Sequence, residues 1–321
     1  YAYLDDFEST ETTIDLRYPY YWHLASTPSD PTAGALFPEA TKTNNTEYGM
    51  NRALFNWFSV DNTVFNRSNS QTPEHIRRNK DLQSNHLTRE VKEQELFPNR
   101  DAILGQSSYL PVLNVSFYPT ERGPYNLDLN VNPLTGELLN PEKRWGGMMR
   151  KIETSDFETA NIEYLEFWMM DPFVYDTIGA HDGGDLYFNL GDISEDILKD
   201  GKKSYESGMP VTGVANYTET VWGRVPAEKS VVYSFSTEGG ARSKQDIGIN
   251  GLSNNDERIF TVYSDYLAQM KSKVTPEVYD SIFEDPAGDD YHYFRGSDYD
   301  AQKKSILERY KRINGLEGNS P

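Results

Sequence analysis

The oxygen-bearing residues of Asp246–Glu257 (DIGINGLSNNDE) are spaced as in a calcium loop of EF-hand type. In that register Asp246 stands first and Asn250 fifth, the Leu252 backbone carbonyl is seventh, and Glu257 is last. Gly251 falls at the tight turn. Hard cations take carboxylate, amide and carbonyl oxygens, and glycine permits the bend that gathers them. Two features depart from the pattern: Gly248 occupies a ligand position, and no helical pattern leads into the loop. An Asn-Gly turn with Asx caps on a helix beginning near Asn255 accounts for the same residues without metal. Calcium is the one cofactor that the sequence raises.

Other chemistry finds less support. Two acidic clusters, Asp5, Asp6 and Glu8, then Asp285, Asp289 and Asp290, could also hold calcium. In so acidic a chain, solvated faces explain them more simply. The five histidines show no zinc-ligand spacing, and there is no cysteine, no Gly-x-Ser-x-Gly elbow and no phosphate-cradling loop. Two carboxylates for glycoside hydrolysis would be paired in space, and nothing in the sequence singles out a pair. The expectation is a protein that is not an enzyme.

The chain has 321 residues, with 31 basic side chains against 50 acidic ones, for a formal charge of −19. That excess opposes binding to nucleic acid or to anionic lipid, both of which demand Lys and Arg. Only 37% of residues are hydrophobic, but 22 Tyr and 15 Phe bury much area each, so a core remains feasible. No apolar run approaches the length of a membrane helix. The first residues, Tyr1–Leu4, look like the inside of a strand, and the sequence reads as a piece of a longer protein.

The elements that would position these residues centre on Asn161–Ile197. Ile162–Met170 and Asp185–Leu190 are apolar segments of strand length, joined through Pro172 and a Gly-Gly turn, and they read as neighbouring antiparallel strands. Trp168 and Phe188 would be buried between layers, and Ser194 would cap a short helical turn. Tyr1–Leu24, Tyr109–Tyr118 and Val211–Phe235 would supply further strands. Thr72–Leu96, opened by Thr72-Pro73, reads as a solvated helical insertion. Apolar residues at helical spacing mark Glu257–Lys271, Thr275–Phe283 and Ser297–Ile313 as helices. The expected fold is mainly β: an antiparallel jelly-roll-like β-sandwich with helical insertions and a C-terminal helical extension. It would divide into residues 1–239, with an insertion at about 26–100, and a turn- and helix-rich extension over 240–321 packed on it.

Several blocks carry a family resemblance. They include Tyr3–Glu8 (YLDDFE), Leu110–Val115 (LPVLNV), Glu121–Asn126 (ERGPYN) and Leu139–Gly147 (LNPEKRWGG). Glu166–Phe173 (EFWMMDPF), Gly183–Asp196 (GGDLYFNLGDISED), Tyr291–Asp300 (YHYFRGSDYD), Leu307–Arg312 (LERYKR) and Gly318–Pro321 (GNSP) complete them. Together they resemble the SprA/Sov family, the very large outer-membrane translocon proteins of type IX secretion and gliding motility. The resemblance implies a non-catalytic extramembrane segment of a protein-export channel, acting as scaffold or cap. Its implied partners are other secretion components, transiting cargo proteins and the rest of the parent barrel, and the segment itself would not insert in the membrane. The extracellular face is expected, with the periplasm as the alternative. Apart from the resemblance, the acidic opening and the Trp22 strand are also similar to carbohydrate-binding jelly rolls, so a cell-surface sugar-binding module and a glycan-active enzyme stay open.

Overall fold

The computed structural model describes residues 13–29, 36–65, 68–99, 109–154, 156–160, 162–177, 183–202, 216–227 and 247–312. Its strands are β1 (His23–Leu24), β2 (Ala53–Phe58), β3 (Val91–Lys92), β4 (Tyr109–Leu110), β5 (Asn114–Arg122), β6 (Met148–Met149), β7 (Tyr217–Glu219) and β8 (Arg224–Pro226). They form four separate antiparallel pairs, β1–β6, β2–β5, β3–β4 and β7–β8. The helices are α1 (Asn62–Phe65), α2 (Glu74–Arg77), α3 (Lys80–Gln83), α4 (Glu93–Leu96), α5 (Asn254–Glu257), α6 (Thr261–Lys271), α7 (Pro276–Glu284), α8 (Ser297–Ala301) and α9 (Ile306–Arg309).

The β-sandwich expected from the sequence does not form among the described residues. No ladder exceeds two strands, and Ile162–Met170 and Asp185–Leu190 belong to none. Trp168 is 72% exposed and Phe188 56%. Alternating apolar residues favour an extended backbone but do not choose its hydrogen-bonding partner. Here the two segments have no ladder partner among the described residues, and they touch where the Phe167 and Phe188 rings approach to 5.9 Å. The expected strands at 1–12 and Val231–Phe235 lie outside the described residues.

The longest ladder organises the body. β2 is buried along most of its length, and its register runs from Leu54 opposite Tyr118 to Phe58 opposite Asn114. A bulge between Ala53 and Leu54 shifts the pairing of Ala53 to Arg122 and bends the strand at that end. Trp57 sits beneath β2 in the largest core with Tyr48, Tyr125, Trp222, Ile249, Leu252 and Tyr263. Residues from both sides of position 240 therefore share one core.

Two smaller cores flank it. Tyr266, Leu267 and Met270 on one face of α6 pack with Ile282 of α7 and with Val131 and Leu138. Phe58, Phe65, Ile76, Ile306 and Tyr310 form the other, where the Tyr310 ring stacks on Phe58 at 4.6 Å and on Phe294 at 4.8 Å. Ile76 belongs to the segment expected to be a solvated insertion, yet it is fully buried. The expected helix over Ser297–Ile313 is interrupted. Lys303 adopts a positive φ of 54°, and Ser305 starts α9 afresh with a capping box to Glu308.

Candidate metal centre and exposed aromatic arm

Ser253 opens α5, its hydroxyl accepting from the Asp256 N–H at 3.3 Å. One turn later Glu257 enters the body and is completely buried. The Asn250 side-chain amide donates to Glu257 Oε1 at 2.7 Å, and the Ala287 N–H donates to Oε2 at 3.0 Å. The α7 helix ends at Asp285. Asp285 Oδ1 accepts from the N–H groups of Gly288 and Asp289, at 2.8 and 3.1 Å, which folds 285–289 back toward α5. Asp289 follows as the third carboxyl, 8% exposed.

Oxygens of Glu257, Asp285 and Asp289 all lie within 4.8 Å of one another. Burial pushes the Glu257 carboxyl up to about 8 against the bonds from Asn250 and Ala287, with Asp285 and Asp290 adding like charge. Burial likewise lifts Asp289 well above the usual carboxylate range, and Glu257, Asp285 and Asp290 push the same way. Among the described residues, Asp289 Oδ2 has no hydrogen-bond partner. The Tyr125 hydroxyl, which together with the Asp289 carboxyl borders Gly248, accepts the Ile249 N–H at 2.6 Å.

The nearest cations hold the rim. Arg312 Nη1 stands 3.4 Å from Asp285 Oδ2, while Arg122 donates to the carbonyls of Pro286 and Asp285 at 2.5 Å each. Gly248 forms the wall facing Asp289. Its φ is +56°, and a Cβ there would overlap Asp289 Oδ2. Gly248→Ala is therefore expected to destabilise the protein by roughly 1–3 kcal/mol, from backbone strain and collision together, in urea unfolding.

The structure redistributes the residues of the sequence-derived calcium loop. Asp246 lies outside the described residues. Asn250 meets Glu257 as its hydrogen-bond donor, while Asn250 Oδ1 accepts the Leu252 N–H at 3.0 Å. Leu252 buries its side chain in the main core. Glu257 instead joins Asp285 and Asp289, the cluster that composition had assigned to a solvated face. Loop spacing reaches only sequence-local ligands, whereas these carboxyls are brought together by the α6–α7 pair between them. The local signal was Asp285-Pro-Ala-Gly-Asp-Asp290 at a helix end, an acidic turn directly after an amphipathic helix.

The second feature is the arm over 162–177 and 183–193. Tyr164, Phe167, Trp168, Met169, Tyr187 and Leu190 are all more than half exposed. The arm is moored on either side. The Tyr175 hydroxyl accepts the His86 N–H at 2.8 Å. Ser26 Oγ donates to the Ser194 carbonyl at 2.7 Å, and Ile197 and Leu198 enter the main core. Between Lys151 and Lys199 the chain carries twelve carboxylates and no lysine or arginine.

Residues 265–321 match the profile of the SprA_N family, described as a motility related/secretion protein. No curated protein matches the chain. The match begins within α6 and takes in Asp285 and Asp289 of the carboxylate cluster. It supports the resemblance to the SprA family carried by the C-terminal blocks.

Proposed function

We propose that this SprA-related chain is a non-catalytic, extramembrane part of an outer-membrane protein-export channel, and that the arm over 162–177 and 183–193 is its contact surface for a partner polypeptide. The family match supports the secretion and motility setting. The observation that carries the contact surface is the arm itself: two aromatic-rich segments exposed to solvent and acidic in composition. Exposed apolar patches of this kind mark interaction sites. The arm's six carboxylates, Glu163, Glu166, Asp171, Asp176, Asp185 and Asp192, with no lysine or arginine among them, select a partner segment that is apolar and basic. Another secretion component, a cargo protein in transit and the rest of the parent barrel can each offer such a segment.

No helix among the described residues is long and apolar enough to cross a membrane, and the acidic surface disfavours anionic lipid. In this reading the chain is attached to the channel on its extracellular face, with the periplasmic face as the other arrangement. Exposed Tyr18, Tyr20 and Tyr21 pack ring against ring and favour glycan stacking as the second reading.

The decisive experiment changes Trp168 and Phe188 to Ala in the parent protein. Both side chains are exposed, so stability should change by no more than ~0.5 kcal/mol each, while secretion of cargo falls sharply and a crosslinker placed at Tyr187 loses its protein adduct. Normal secretion with lost binding to glycans would replace the export reading with the sugar-binding one.

A further inference from the structure

We propose that Glu257, Asp285 and Asp289 hold one divalent cation of the calcium class, which clasps the segment around α5 to the turn after α7. This site differs from the Asp246–Glu257 loop and is independent of the export reading.

The geometry suits an oxygen-seeking ion. Two oxygens bound at about 2.3–2.6 Å to one calcium can be separated by at most about 4.6–5.2 Å. The three carboxyls already lie within 4.8 Å of one another. Magnesium, at about 2.0–2.1 Å in a near-ideal octahedron, sets a stricter geometric demand than calcium. Their orientation is fixed from outside by the Asn250 amide and the Ala287, Gly288 and Asp289 N–H groups. Such supporting donors keep ligands aimed when the ion arrives.

The buried Asp289 Oδ2 supplies the independent indication. It has no hydrogen-bond partner among the described residues, and its residue is more than nine-tenths buried. An unpaired buried acceptor of this kind calls for a proton or a cation. Among the described residues the basic side chains at the cluster are Arg122 and Arg312, and Asp290 adds a further carboxyl beside the three. Arg122 is aimed at main-chain carbonyls, and Arg312 reaches only the outer oxygen of Asp285. Three carboxyls with two rim arginines leave room for positive charge at the centre, and waters can complete the six to eight ligands that calcium takes.

The full chain, stripped with EGTA, would be titrated with calcium chloride by calorimetry near neutral pH and melted with and without the ion. One calcium should bind with Kd of about 10⁻⁵–10⁻³ M, and saturation should raise Tm by about 3–6 °C. Magnesium chloride should act at least ~10-fold more weakly. Asp289→Asn is isosteric and removes a buried charge, so in EGTA it should fold at least as well as the parent while its calcium response disappears. Glu257→Gln provides a second such variant, and Asp280→Asn, on the exposed face of α7, should respond like the parent. Absence of a heat and of a Tm shift in the parent would overturn the site. So would a calcium response that survives intact in both Asp289→Asn and Glu257→Gln, and in either case a shared proton would be what neutralises the cluster.

Discussion

Trp222→Ala is expected to destabilise the protein by about 3–5 kcal/mol through lost burial and the cavity left behind. The side chain is fully buried, and its Nε1 donates to the Leu198 carbonyl at 2.8 Å. Removing it would add about 1–3 kcal/mol for that carbonyl left dry and unpaired. The sum approaches the ~5–15 kcal/mol that holds a typical domain together. The site also joins distant parts of the chain. The Tyr125 ring meets Trp222 edge-on at 6.3 Å, and the Tyr263 hydroxyl donates to the Trp222 carbonyl at 2.8 Å. Trp222→Phe should retain most of the burial and lose about 1–3 kcal/mol, chiefly through the N–H. Urea unfolding of both variants measures the difference. A cost below ~1 kcal/mol for the alanine variant would mean that Trp222 is not the central packing residue of this core.

That tryptophan shows how differently the sequence speaks for different parts of the fold. Helices α6 and α7 were legible because their information is local. Tyr263, Tyr266, Leu267 and Met270 recur on one face and are buried, and Pro276 occupies the first turn of α7, as proline prefers. The break between α8 and α9 was also written locally, in the Ser305–Glu308 capping box, but the longer apolar periodicity masked it. Strand partners are not local. Trp168 and Trp222 each sit near apolar and polar neighbours in comparable mixtures, yet one is 72% exposed and the other fully buried. What separates them is which distant segment closes over each ring. The same holds at the carboxylate cluster. Glu257 stood out by loop spacing, but its companions lie 28 and 32 positions away, and only the packing of α6 against α7 reveals them.

The cation-free protein is expected to lose stability as pH rises from about 5 to about 8. The Glu257 carboxyl, pushed up to about 8 by burial, keeps its proton in the folded state through a range where an unfolded glutamate, titrating near about 4.3–4.5, has released it. The folded state then binds more protons, so unfolding free energy falls with pH, by up to ~1.4 kcal/mol per unit for one group. The stabilisation is complete below about 4.5 and lost once pH passes about 8. Facing Glu257 are the Asp285, Asp289 and Asp290 carboxyls, the Asn250 amide and the Tyr263 hydroxyl, with Arg122 and Arg312 at the rim. Asp289 is raised in the same direction, so the protons of the pair leave in shared steps and spread the transition. Carboxyls of opposite sense do not offset it in this window. Asp15, Glu95 and Glu308, held low first by side-chain bonds from Arg17, Arg89 and Ser305, contribute stability that is lost only as pH falls toward and below about 4. Urea unfolding in EGTA across this range should show a loss of about 2–4 kcal/mol in the parent and a much flatter profile in Glu257→Gln. A parent protein whose stability holds level or climbs from about pH 5 to about pH 8 would mean that Glu257 is ionised in the fold.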